Sequence, residues 1–163
     1  MQSTLALDAG RLLMSNLRTV RVVAVLLVAL LAVQYLLGML TNFYVRLDDV
    51  HISGGSLAEV IDTALAYAST AGGTLGAHWF NASMSLVLSV GLLTVGVVRK
   101  RRWLWVHALI IVVMIMAGAF GGAAFFGYHN DAFSLLMALA FLVAFAVAGS
   151  LCFRAFQPRT SSR

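Results

Sequence analysis

Residues 91–111 read GLLTVGVVRKRRWLWVHALII, and the four consecutive cations at 99–102 separate two apolar runs. Lys and Arg residues that flank a membrane span are retained on the cytoplasmic side, so this block predicts a cytoplasmic turn between two crossings. The tryptophans that follow it, Trp103 and Trp105, are typical of a membrane interface. The stretch therefore predicts a helical hairpin with its tip in the cytoplasm.

The remaining charges show that basic and acidic connections alternate along the chain. Ten of the eleven basic residues lie in this block, before the first apolar run or after the last, and five of the six acids lie in the other two connections. We therefore predict an all-α, polytopic integral membrane protein: a four-transmembrane-helix bundle with both termini in the cytoplasm (N-in/C-in). The spans are predicted at about 22–44, 79–98, 103–126 and 132–153, and each is long enough to cross a hydrocarbon core of about 30 Å.

The composition excludes an ordinary soluble domain. The chain is 61% hydrophobic and 10% charged, whereas soluble domains are about a quarter charged. We predict one membrane domain over residues 1–163, whose cations at the span ends contact the lipid bilayer and not nucleic acid. One cysteine, Cys152, excludes an internal disulfide. The small size and short loops favour a bacterial cytoplasmic (inner) membrane.

Two amphipathic segments lie outside the spans. Residues 1–21 predict a short interfacial helix, and residues 56–70 predict an amphipathic helix on the outer surface that covers the mouth of the bundle. Ser56 and Glu59 have the spacing of a capping box at the start of the outer helix. Its apolar face is predicted from the helical spacing of Leu57, Val60, Ile61, Leu65 and Ala68.

Small residues at intervals of four predict close helix packing. Gly118 and Gly122 form a G-x-x-x-G pair on the third span, and Ala140 and Ala144 repeat that spacing on the fourth. Such residues let helices approach closely in lipid. We expect spans three and four to pack within one chain, and a homodimer through the glycine face is the alternative.

A polar stripe runs along the second span. His78, Asn81, Ser85 and Ser89 follow spacings of three, four and four, which place them on one side of a helix. Because polar side chains are costly in lipid, this side should face the bundle, with Gln34 as partner and Gly38 allowing close approach. The stripe predicts either interhelical hydrogen bonds or a ligand pocket lined by the polar residues Gln34, Asn81, Ser85 and Ser89.

Two histidines suggest a cofactor. His78 and His129 precede the apolar parts of the second and fourth spans on the outer side, in two helical hairpins that have the appearance of repeats. Two imidazoles at matching depth can hold the iron of haem b, and Arg46 can pair with a propionate. The alternatives are hydrogen bonds to headgroups or loops for the histidines, and a salt bridge to a loop acid for Arg46.

In the positions of His78 and His129, the chain resembles one four-helix half of the haem A synthase family. Each half of those proteins carries outer histidines ahead of its second and fourth helices. The resemblance implies a four-helix bundle with His78 and His129 as haem ligands. Members of that family carry eight spans and a fuller glutamate and histidine signature, so their enzymatic activity is not carried over to this chain.

Three functions stay open at this point. No predicted span contains Asp, Glu, Lys or Arg, which argues against an ion-coupled transporter. The leading hypothesis is a non-enzymatic membrane subunit or scaffold that acts by helix packing, with a membrane-protein partner or a second copy. The alternatives are a b-type haem protein for electron transfer or haem handling, and a quinone- or lipid-binding module.

Overall fold

The computed structural model describes residues 2–44, 56–70, 73–128 and 130–157, with side chains for all of these except 2–17, 42–44, 65 and 68–70. Every regular element in this part of the chain is an α-helix. The five helices are α1 (Gln2–Tyr44), α2 (Leu57–Thr70), α3 (Gly73–Val98), α4 (Arg102–Tyr128) and α5 (Asp131–Phe156). Four of them, α1 over Arg18–Thr41 and the whole of α3, α4 and α5, are long and apolar enough to cross a membrane. The predicted all-α, four-span fold is confirmed.

Two helix boundaries differ from the sequence prediction. The first helix is continuous from Gln2 to Tyr44, so residues 2–21 are helical as predicted but continue into the span without a break. That this segment lies at the membrane interface stays a prediction. α3 begins at Gly73 instead of Trp79. Hydropathy marks the part of a helix that lies in hydrocarbon, but backbone hydrogen bonding extends the helix into the interface, where no apolar signal is required.

The four spanning helices form a ring in which α1 and α4 each contact both α3 and α5. Arg21 near the start of the α1 span donates from Nε to the carbonyl of Ala155 at the end of α5, at 2.9 Å. Neighbouring helices are therefore antiparallel. We call the end that carries the basic residues the basic end and the end that carries α2 the loop end. Which end faces the cytoplasm stays a prediction.

The interior differs between the two ends. The half near the basic end has an apolar core from all four spanning helices, namely Val20, Ala24, Leu27, Leu31, Leu92, Leu104, Ala108, Ile111, Ala144, Ala148, Leu151 and Ala155. On α3 the same inward stripe continues toward the loop end as Ser89, Ser85 and Asn81, which are 0%, 1% and 7% exposed. On the inward face of α3, polar groups therefore replace apolar side chains toward the loop end.

The connection between α3 and α4 is a tight turn with a Schellman motif. The amide of Arg101 donates to the carbonyl of Gly96 at 2.9 Å, and that of Lys100 donates to Val97 at 3.0 Å. Lys100 has φ +50°, the left-handed conformation that this motif requires. A Cβ added at Gly96 would lie 2.6 Å from the amide nitrogen of Trp105, so glycine allows the two backbones to approach.

The predicted capping box begins α2 as expected. The amide of Ser56 donates to Glu59 Oε2 at 2.7 Å, and the amide of Glu59 donates to Ser56 Oγ at 3.4 Å. Val60 and Ala64 face the bundle, and a Cβ at Gly127 on α4 would overlap Val60 Cγ1. Leu57 is 43% exposed although it lies three residues before Val60 on the same side of the helix, so the buried part of the predicted apolar face begins at Val60. The side chains of Leu65 and Ala68 lie outside the described part.

Candidate functional site

A polar cluster, formed by Gln34, His78 and Asn81, joins α1 to α3 near the loop end. Asn81 donates through Nδ2 to the carbonyl of Leu30 at 2.8 Å and to Gln34 Oε1 at 2.7 Å. Gln34 Nε2 lies 2.9 Å from His78 Nε2. The structure thus brings together three of the predicted site residues, and Gln34 is the polar partner of the α3 stripe as predicted.

The direction of each hydrogen bond in this cluster follows from the backbone. The Leu30 carbonyl can only accept, so the amide nitrogen of Asn81 must face it and also supply the bond to the Gln34 oxygen. The Gln34 amide nitrogen then faces His78 and donates to Nε2. Nε2 must carry a lone pair, so the imidazole is neutral with its proton on Nδ1.

The other edge of the His78 ring lies against the backbone of α1. A Cβ added at Gly38 would be 3.3 Å from His78 Cε1 and 3.7 Å from Nδ1, so glycine leaves the space that the imidazole occupies. Nδ1 is buried and has no hydrogen-bond partner among the described residues. One donor of the cluster is therefore unsatisfied within this part of the chain.

The two serines of the stripe are satisfied by their own helix. Ser85 Oγ donates to the carbonyl of Asn81 at 2.9 Å, and Ser89 Oγ donates to that of Ser85 at 2.7 Å. Both hydroxyls therefore lie inside the bundle without needing a partner on another helix. That Gln34, Asn81, Ser85 and Ser89 line a ligand pocket stays a prediction.

Of the residues predicted to hold haem, only His78 lies within the described part; His129 and Arg46 lie outside it. A histidine binds iron through a nitrogen lone pair. In this arrangement the lone pair of His78 Nε2 accepts a hydrogen bond from Gln34, and Nδ1 carries the proton. The described residues do not fit iron ligation without breaking the polar cluster. Within that same part of the chain, no group of three His, Cys, Asp or Glu side chains is placed to hold a metal ion.

The small residues of α4 contact α5, but the glycine that lies closest to the α5 backbone is not one of the predicted pair, Gly118 and Gly122. A Cβ at Gly118 would lie 3.8 Å from Ala140 Cβ, and one at Gly122 would lie 3.3 Å from the flexible end of Met137. A Cβ at Gly121 would lie only 3.0 Å from the carbonyl oxygen of Phe133. Ala144 is buried in the apolar core.

Two polar side chains near the basic end, His107 and Arg21, make contacts that were not predicted from the sequence. His107 Nδ1 lies 2.6 Å from the carbonyl of Trp103, and its Nε2 lies 3.4 Å from Ser150 Oγ on α5. Arg21 supplies the bond to Ala155 and lies 5.4 Å from the centroid of the Phe156 ring. The spacing of four between Trp103 and His107 is the signal that the sequence did contain, because a side chain can return to the carbonyl one turn earlier.

Comparison of the chain with family models, with characterised proteins and with solved structures gave no match.

Proposed function

We propose that this multi-pass membrane protein is a non-enzymatic subunit or scaffold that acts by helix packing. The supporting observation is the use of its buried polar groups. The cluster of Gln34, His78 and Asn81 joins two helices, and the serines of α3 bond to their own backbone. Among the described side chains, the only fully enclosed nitrogen or oxygen atom without a partner is His78 Nδ1. Enzymes need polar groups that are free to contact a substrate, whereas these serve the bundle itself.

The surface available to a membrane partner is apolar. Val87 and Phe80 on α3 are 61% and 66% exposed, and Leu142 and Leu36 on α5 and α1 are 60% and 59% exposed. Apolar surface alone does not draw helices together in lipid, because lipid is equally apolar. A partner must therefore fit the shape of one face of the bundle, and other faces should contact lipid.

Site-specific photo-crosslinking in the native membrane tests this proposal. A photoreactive residue is placed in turn at Val87, Leu142 and Leu36, which sample three helices with exposed faces. A scaffold should give a discrete protein adduct from one face and only lipid adducts from the others; an adduct of twice the chain mass would identify a homodimer. Lipid adducts from every face would contradict the proposal.

A quinone- or lipid-binding module is the second candidate, and the observation that favours it is the unsatisfied Nδ1 proton of His78. A quinone or ester carbonyl is an acceptor that would satisfy this donor if it entered between α1 and α3. Decylubiquinone should then raise the thermal stability of the detergent-solubilised protein. The rise should be lost in His78→Phe and kept in Ser89→Ala, and no rise in the unsubstituted protein would remove the quinone as the ligand.

Haem b binding, which rests on the resemblance, has a direct spectroscopic test. Protein purified from haem-replete cells is measured oxidised and after reduction with dithionite. A Soret band with sharp reduced α and β bands that disappear in His78→Ala would support a haem protein for electron transfer or haem handling. A colourless preparation would exclude it.

A further inference from the structure

The turn between α3 and α4 carries a dense positive charge. Arg99, Lys100 and Arg102 are exposed and Arg101 is half-buried. The acids whose side chains are described lie at the other end of the bundle: Glu59 and Asp62 are on α2, and Asp131 begins α5. No described carboxylate is therefore placed to neutralise the turn, and its counter-charge must come from outside the described part of the molecule.

Lys100 occupies a backbone position that glycine would occupy with less strain. Its φ of +50° lies in the left-handed region, and glycine is the usual residue at this place in a Schellman motif. The turn geometry alone therefore favours glycine. What lysine adds is a fourth consecutive cation at the tip of the hairpin.

The surroundings of the turn suit an amphiphilic ligand, because apolar side chains lie next to the cations. Val97 and Val98, immediately before the cations, are 56% and 70% exposed, and they lie at the end of a span that is apolar enough to cross a membrane. A ligand that contacts both the valines and the cations must have an acyl part and an anionic part. Free phosphate would use only the second of these.

We propose that the α3–α4 turn, residues 99–102, is a binding site for the phosphate headgroups of anionic phospholipids. Arginine guanidinium groups donate in pairs to phosphate oxygens, and the Lys100 ammonium adds a point charge. Each cation near an anionic leaflet strengthens association by about fivefold. The site is independent of the proposed scaffold function.

Quenching of tryptophan fluorescence tests the proposal in reconstituted vesicles. Trp103 and Trp105 lie next to the turn, so Trp79→Phe leaves the signal at the basic end. Phospholipids with brominated acyl chains quench tryptophan on contact. Brominated phosphatidylglycerol is compared with brominated phosphatidylcholine at the same mole fraction, and the ratio of quenching measures lipid preference.

We expect the preference for phosphatidylglycerol to be well above fivefold, because four cations contribute to it. Lys100→Gly should lower the preference by about fivefold without weakening the fold, since glycine suits the backbone there. Replacing Arg99, Arg101 and Arg102 together by Gln should abolish it. The matched control is Arg154→Gln, an exposed cation at the end of α5 outside the turn, which should lower the preference less than Lys100→Gly does.

Three results would overturn the proposal. One is equal quenching by the two lipids in the unsubstituted protein. Another is an unchanged preference in the triple variant, which would place the lipid elsewhere. The third is loss of the preference when inorganic phosphate replaces chloride at equal ionic strength, which would identify free phosphate as the ligand.

Discussion

Gln34 on α1 donates to Nε2 of His78 on α3 across 2.9 Å, and this bond determines which nitrogen of the imidazole carries the proton. The donor is itself oriented by Asn81, whose amide is held by the Leu30 carbonyl. The rotation of α1 about its own axis is therefore specified by directional bonds near the loop end. Near the basic end it is specified by the shapes of apolar side chains.

Asn81→Leu should lower the free energy of unfolding by about 1–2 kcal/mol, because it leaves Gln34 without the bond that orients it. Ser85→Ala is the matched control: it removes a hydroxyl that bonds only to its own helix, and should cost less. Unfolding with SDS in mixed micelles measures both. Equal losses would show that the polar cluster does not stabilise the α1–α3 contact.

Gly96→Ala should destabilise the α3–α4 hairpin by about 1–3 kcal/mol, since the new methyl group would lie 2.6 Å from the Trp105 amide nitrogen and the backbones must separate. A Cβ at Gly91 on the same helix has no atom within 4 Å. Gly91→Ala should therefore be neutral or slightly stabilising in the same SDS titration. If the two alanine variants had the same stability, the helices would not be in contact at Gly96.

Gly121→Ala should destabilise the protein more than Gly118→Ala. The first would place a methyl group 3.0 Å from the Phe133 carbonyl, and the second would place one in ordinary contact with Ala140. Thermal unfolding in detergent, followed by circular dichroism, compares the two variants. The opposite order would restore Gly118 as the closest point between α4 and α5.

Gly127→Ala should release α2 from the bundle, because the added methyl group would overlap Val60. Hydrogen exchange of the α2 amides should become faster. Adding Val60→Ala should recover much of the protection, since the smaller side chain gives the methyl group room. Greater exchange in the double variant than the two single changes predict would contradict a direct contact.

The predicted orientation is tested with cysteines on the Cys152→Ser background. Asp62→Cys, on the exposed side of α2, should react with an impermeant maleimide in intact cells. Arg99→Cys, in the basic turn, should react only after permeabilisation, because its end of the bundle is predicted to face the cytoplasm. Reversed labelling would invert the topology.

The features that were predicted correctly depend on strong local signals. Four apolar runs separated by charges define four crossings, and the spacing of Ser56 and Glu59 defines a helix start. Gln34 could be predicted as a partner because polar side chains within an apolar run have few alternatives.

The features that were missed depend on how helices rotate against each other. Gly118 and Gly121 lie three residues apart on one helix, and hydropathy does not distinguish which of them meets the α5 backbone most closely. The same holds for Gly96 and Gly127, whose importance comes from Trp105 and Val60 on other helices. The side chains of His129 and Arg46 lie outside the described part, so their predicted roles stay predictions.

The position of α1 in the ring has a consequence for biosynthesis. α3, α4 and α5 follow one another closely along the chain and can associate as they leave the translocon, but α1 closes the ring against α5, which comes last in chain order among the four described spanning helices. The bond from Arg21 to Ala155 can form only after α5 has been translated. Until then α1 can pair with α3 but not with α5, so a nascent chain that stalls before α5 exposes an open seam that membrane proteases and chaperones can recognise.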